Sequence, residues 1–211
     1  GYASSVDNLG YVTTRTSDFI ESPEDFKLIL FTGGADVSPR LYGDSSPEGM
    51  CCINMKRDME EVVIFRRAVK HGVLMAGICR GFQFLNVMSG GKMMHHITGH
   101  EFGMHTMELM TGQNLLVNSL HHQMVLLPED AKLVGWSKER LCVRYYGAQD
   151  KLVQYTEAEN EAAIFPKTNS FGVQYHPEMM DRRTDGYIFF NRMVETALTV
   201  DWETFIKLYT K

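Results

Sequence analysis

Several things are scarce in this chain of 211 residues, and each scarcity narrows what it can do. Basic residues are not in excess: 21 Lys and Arg stand against 26 Asp and Glu, a net charge of −5. A surface built to neutralise phosphates is not indicated, and no nucleic-acid partner is expected. No apolar run approaches the roughly 20 residues that span a bilayer. Nor does a basic start lead into an apolar stretch, so neither a membrane partner nor a secretory leader is expected. No G-x-x-x-x-G-K-[ST] loop occurs, which leaves no P-loop nucleotide site. Cysteine is confined to Cys51, Cys52, Cys79 and Cys142. Four thiols, two of them adjacent, make no disulfide framework, and a vicinal bridge would be strained. A reducing, cytoplasmic setting is the expectation.

What remains is ordinary globular composition, 44% hydrophobic and 22% charged. The 14 methionines read as core filler. With no repeat, low-complexity stretch or linker, residues 1–211 read as a single domain. Short apolar runs alternate with helix-period segments in the first half, which predicts an α/β layer fold with parallel strands and right-handed crossovers. Phe26 to Thr32 reads as a buried strand ending at Gly33-Gly34. Asp58 and Glu61 resemble a capping box opening a helix with Met59, Val62, Phe65 and Val69 on one stripe, ending at His71-Gly72. Val73 to Ala76 is a second strand, and Phe82 to Met88 a helix closed by Gly90-Gly91. Beyond it, short strands are expected at Leu115–Val117, Leu141–Tyr145, Leu152–Tyr155, Ala162–Phe165 and Phe171–Tyr175. Closing helices are expected at Thr184–Leu198 and Trp202–Tyr209. Only 32 residues precede Gly33, with a weak strand at Tyr11–Thr14, so the first βα unit is expected to be abbreviated.

The chemistry concentrates in three places. Gly77-Ile78-Cys79-Arg80-Gly81, between a predicted strand and a predicted helix, has the form of a nucleophile elbow with cysteine in the serine position. A sharp turn lifts the side chain above the sheet, and the helix N-terminus favours its thiolate. A thiol nucleophile needs a base. His176 closes a predicted strand, and Glu178, two residues on, projects to the same side in extended chain and can fix the imidazole tautomer. Third, the turn at Gly33-Gly34 can aim the Gly34 N–H at a developing oxyanion, with the Arg80 N–H as the second donor.

These residues, with their surroundings, resemble the class I glutamine amidotransferase-like superfamily, in its γ-glutamyl hydrolase (peptidase C26) branch. The resemblance runs from Phe26 to Tyr187. It rests on Gly33 to Pro39 with Leu41-Tyr42-Gly43, on Arg57-Asp58 with Glu61, and on Cys79 to Gln83 with Leu85-Asn86 and Gly90-Gly91. It rests also on Val117 to Gln123 and on Gly172 to Glu178. It implies a three-layer α/β/α sandwich around a mostly parallel, flavodoxin-like sheet and a Cys79-His176-Glu178 triad. It further implies that Gln83 and the loop containing Asn118, Ser119, Leu120 and His121 hold the glutamyl end of a small-molecule substrate. The expected activity is cysteine-dependent hydrolysis of γ-glutamyl amides. The alternative is a glutaminase subunit that passes ammonia to a separate synthetase partner. A binding module that has lost its chemistry is disfavoured by the intact triad. Oligomeric state stays open, a homodimer included.

His95, His96, His100 and His105 fit no ligand-spacing pattern, and the companion cysteines of a zinc motif are missing. No metal is therefore expected, and the proposed chemistry needs no cofactor.

Overall fold

The structure is a computed structural model that describes residues 16–211. The expected weak strand at Tyr11–Thr14 lies outside the described residues. In chain order the helices are α1 (Thr16–Glu21), α2 (Met55–His71), α3 (Arg80–Met88), α4 (Asp185–Thr199) and α5 (Trp202–Tyr209). The strands are β1 (Leu28–Phe31), β2 (Leu74–Ile78), β3 (Lys92–Met94), β4 (His96–Ile97), β5 (Met104–Leu109) and β6 (Asn114–Asn118). They continue with β7 (Met124–Leu126), β8 (Lys132–Ser137), β9 (Tyr145–Tyr146), β10 (Leu152–Val153), β11 (Asn160–Phe165) and β12 (Ser170–Val173).

Seven strands form the central sheet in the order β1-β2-β12-β11-β8-β5-β6. Side chains alternate across it, so each strand feeds two cores. Ala76, Ile78, Ile164 and Val173 pack with Phe190, Met193 and Val194 of α4 and Phe205 of α5. Met75, Phe31, Ala163 and Phe165 pack on the other face with Val62 and Phe65 of α2 and Phe82 and Phe84 of α3. The expected helix–sheet–helix layering is therefore present.

The sheet is mixed rather than mostly parallel. β1–β2 and β2–β12 are parallel. β12–β11, β11–β8, β8–β5 and β5–β6 are antiparallel. Parallel neighbours need a crossover of a dozen or more residues, and residues 32–73 supply one that contains α2. The links 110–113 and 166–169 are too short to cross over, so they close antiparallel pairs.

α2 departs from its predicted start and stripe. Its N-cap is Asn54, whose side chain accepts from the Arg57 N–H at 3.1 Å, so Asp58 lies inside the first turn. Met59 and Val69 of the expected stripe lie at the surface, and the buried face is made by Asp58, Val62, Phe65 and Ala68. The helix ends as expected at Gly72, left-handed with φ 68°. The strand expected at Leu141–Tyr145 is reduced to Tyr145–Tyr146. The carboxylate of Glu159 takes the backbone N–H groups of Leu141 and Cys142 in place of a strand partner. Among the described residues, no helix is long and apolar enough to cross a membrane.

Candidate active site

β2 runs directly into α3 through Cys79, and the turn is so tight that its neighbours must be glycine. A Cβ on Gly77 would sit 2.5 Å from the Phe82 amide nitrogen, and one on Gly81 would drive into the Phe31 carbonyl of β1. Cys79 itself takes φ 51° and ψ −110°. This backbone is strained for a residue with a side chain, at a cost of about 1–3 kcal/mol. The Cys79 N–H donates to the Val173 carbonyl at 2.8 Å and ties the elbow to β12. Arg80 opens α3, so its N–H is one of the four donors that a helix start leaves without an intrahelical acceptor.

β12 carries the next group past the elbow. His176 follows its end, with Nδ1 2.6 Å from Glu178 Oε1. That contact leaves Nε2 as the nitrogen for the Cys79 sulfur, the ring's other hydrogen-bond partner. Burial pulls the imidazole pKa down. The hydrogen bonds to Cys79 and Glu178, with the negative charge of both, outweigh burial and push it up to about 10. The backbone of His176 is clamped from both sides by one side chain. Asn118 Nδ2 donates to the His176 carbonyl at 2.9 Å, and the His176 N–H donates to Asn118 Oδ1 at 2.8 Å.

The Gly33-Gly34 turn is held against the elbow by buried charges. Arg80, 1% exposed, pairs through its guanidinium with Asp58 and Glu61 of α2. Its Nε donates to the Ala35 carbonyl at 3.2 Å. Asp58 also accepts the Ser38 N–H at 3.0 Å, and Arg57 donates to the Gly33 carbonyl at 2.8 Å. Burial, then repulsion from Arg57, lowers the Arg80 pKa to about 10, against the pull of Asp58, so the group stays charged at neutral pH. Gly34 has φ +140° and lies so close beneath Arg57 that a Cβ would strike the guanidinium.

The structure thus brings together Cys79, His176 and Glu178, with the Gly34 turn and the start of α3 beside them. Gln83 also reaches the site: its Nε2 donates to Gln174 Oε1 at 3.2 Å, and Gln174 Nε2 lies 3.7 Å from the Cys79 sulfur. Of the rest of the expected substrate loop, Asn118 is engaged with the His176 backbone, and Leu120 is exposed. Ser119 and His121 turn toward His100 and Glu161. Sequence reasoning missed Gln174, which lies two residues before His176, just past the end of β12. It also missed the inward role of Asp58, which only the pairing with Arg80 reveals.

Three comparisons bear on this geometry. The profile of the Peptidase C26 family matches residues 12–114, a stretch that includes the Gly34 turn and the elbow. The protein NtpR of Enterococcus hirae is 31% identical over 176 residues, 72% of this chain and 66% of that protein. YvdE of Lactococcus lactis, named as glutamine amidotransferase-like, is 31% identical over 170 residues, 71% of this chain and 65% of its own length. The chain therefore spans just under two thirds of the length of these relatives. The crystal structure of a glutamine amidotransferase from Thermotoga maritima superposes with a TM-score of 0.52 at 17% identity, covering 95% of this chain and 74% of that one; at this identity the likeness speaks for the fold. The family profile and these relatives together support a place in the class I glutamine amidotransferase-like superfamily.

Proposed function

We propose that the protein hydrolyses γ-glutamyl amides through a γ-glutamyl thioester on Cys79. The observation that carries this reading is the Cys79 backbone, held at φ 51° at the start of α3, with the His176–Glu178 pair on its sulfur. The elevated pKa of His176 favours an imidazolium beside the thiolate, the charge pair from which thiol hydrolases start.

In the first step the Cys79 sulfur attacks the γ-carbonyl carbon. The N–H groups of Gly34 and Arg80 stabilise the oxyanion, and losing one such donor costs about 3 kcal/mol. His176 gives its proton to the departing amine or ammonia as the C–N bond breaks, which leaves the thioester and a neutral imidazole. His176 next takes a proton from water, and the hydroxide attacks the thioester. Glutamate leaves, and the proton on His176 restores the starting pair. Glu178 keeps Nδ1 protonated throughout, Asn118 fixes the height of the His176 backbone, and Gln83 with Gln174 borders the sulfur. The cycle calls on no metal or organic cofactor.

The test is a panel of glutamine and γ-glutamyl amines and peptides on the purified chain, scoring glutamate release, with diazo-norleucine labelling read by peptide mass spectrometry. Glutamate release by the chain alone, with the label on Cys79, is the expected result. A label on Cys51, Cys52 or Cys142 refutes the nucleophile assignment. Silence on every substrate until a protein partner is added replaces the hydrolase with the ammonia-supplying glutaminase.

A further inference from the structure

Behind the loop that starts at Asn118, a second group of ionisable side chains is sealed from solvent. His100 follows β4, His105 is on β5, His121 follows β6 and Glu161 is on β11. All four are buried, His100 fully and Glu161 to 1% exposure. Three imidazole nitrogens converge on one oxygen, Glu161 Oε1: His105 Nε2 at 3.4 Å, His121 Nε2 at 3.5 Å and His100 Nδ1 at 3.6 Å. These separations exceed the 2.7–3.2 Å of a good N–H···O hydrogen bond. Among the described residues, both nitrogens of His105, Nε2 of His121 and both oxygens of Glu161 are buried without a hydrogen-bond partner of good geometry, His105 and His121 reaching Glu161 only at long range. So many orphaned polar atoms in one place are costly, and a buried carboxylate most of all.

The other ring nitrogens set the tautomers. His100 Nε2 meets Glu159 Oε2 at 2.9 Å, and His121 Nδ1 meets the Gln123 carbonyl at 2.9 Å. Both partners are acceptors, so each of those nitrogens carries the proton. The Ser119 hydroxyl, 3.1 Å from His100 Nδ1, gives its single proton to the His100 carbonyl at 2.8 Å. In the neutral rings His100 Nδ1 and His121 Nε2 therefore present lone pairs to a carboxylate oxygen. Lone pairs gather around one point when a cation sits among them.

The spacing fits a small divalent cation. Four donors at about 2.1 Å around a tetrahedral zinc stand about 3.4 Å apart. The three distances to Glu161 Oε1 have this length, and the donor atoms of His100, His105 and Glu161 all lie within 4.8 Å of one another. A ligand histidine whose second nitrogen donates to a carboxylate or a carbonyl is the usual arrangement around such ions, and Glu159 provides it here for His100.

We propose that His100, His105 and Glu161 bind one divalent transition ion of the zinc class in a closed, structural site, with His121 beside it on Glu161. Two histidines and a carboxylate suit zinc, and cobalt can replace it as a visible probe. The ion would pin the loop after β4 and the start of β5 to β11. Through the contact of His100 with Ser119 it would brace the neighbouring Asn118, which clamps His176.

The experiment uses the tag-free full chain, stripped with a chelator and titrated with Co²⁺ alone, then with Zn²⁺ in competition, followed by visible absorption and metal analysis. One equivalent of Co²⁺ with intense tetrahedral bands, displaced by Zn²⁺, is expected. His105→Ala and Glu161→Gln should abolish the bands. Glu159→Gln should weaken binding by about 10–100-fold, the usual cost of losing a ligand's supporting partner. His71→Ala, an exposed histidine at the end of α2, should leave the titration unchanged. A wild-type chain with no saturable Co²⁺ band overturns the proposal, and the cluster is then held by protons alone. The wild-type titration decides this even if a buried variant fails to fold. A Co²⁺ band that survives intact in a folded His105→Ala chain overturns it as well.

Discussion

Two histidine-bearing regions lie on either side of Asn118, and their polar atoms are treated in opposite ways. Around Cys79 the pairs are closed: His176 meets Glu178 at 2.6 Å, and its backbone N–H and carbonyl are both taken by Asn118. Around Glu161 the contacts stretch to 3.4–3.6 Å, and His105 and His121 reach its carboxylate only at long range. The first arrangement suits a proton shared between sulfur and imidazole. The second holds its nitrogens beyond good hydrogen-bond length from one oxygen. A histidine's job is thus read from what its second nitrogen does and from how far the first stands from its neighbour, more than from burial, which the two regions share.

The sharpest way to break this contrast is to delete the sulfur. Cys79→Ala should lower kcat by about 10⁶-fold on the proposed γ-glutamyl substrates while circular dichroism stays native. Activity within tenfold of wild type would remove Cys79 from the chemistry. The next effects separate the base from its orienter. His176→Ala should approach the loss seen for Cys79, and Glu178→Gln should cost a smaller factor of about 10²–10⁴, read as kcat/KM at several pH values.

Asn118→Ala tests the bridge between the regions. It strips two hydrogen bonds from the His176 backbone without touching the ring. A kcat loss of about 10–100-fold with KM nearly unchanged is expected, together with a lower urea midpoint. A change in KM alone would return Asn118 to the substrate-holding role expected from the sequence.

The pH dependence of stability offers a subtler separation. The folded pKa of His176 is raised to about 10 from an ordinary 6.5. A raised cationic group stabilises the fold fully below about 6.5, and that contribution fades as pH climbs through about 10. Urea midpoints of the wild type should fall across this window, and those of Cys79→Ala should fall less, because the sulfur heads the interactions that hold the proton. Equal slopes would show that Cys79 does not charge the ring. Smallest of all, a folded His105→Ala chain, which lacks the ion, should lower kcat by no more than about threefold, since His105 lies outside the reacting groups. A larger loss would join the two regions into one functional unit.

The legibility of these regions followed their locality. Cys79 stands inside five consecutive residues and His176 two from Glu178, so spacing together with the family resemblance was enough to nominate all three. The layered α/β plan was legible at the parallel end, where Phe31, Met75 and Ile78 lie in unbroken apolar runs. β5, read as Met-His-Thr-Met-Glu-Leu, was not: its alternate buried positions include His105, and Thr106 alone among its residues is β-branched, which gave a weak strand signal. β8 was hidden by Gly135, which is small because Met107 and Leu109 of β5 pack over it. Asn118 and His121 were noticed in their loop, yet their partners are distant in the chain, His176 for the one and Glu161 for the other.

The sequence by itself determined the elbow, the His-x-Glu step and the two glycines flanking Cys79, because each depends on backbone geometry over a handful of residues. Only the tertiary structure decided that the sheet turns antiparallel past β12, that Asp58 and Glu61 receive Arg80, and that three histidines surround Glu161. The charge pairs and the histidine cluster join residues 19 or more positions apart, and the strand order rests on side-chain packing across the whole sheet, neither of which local spacing encodes.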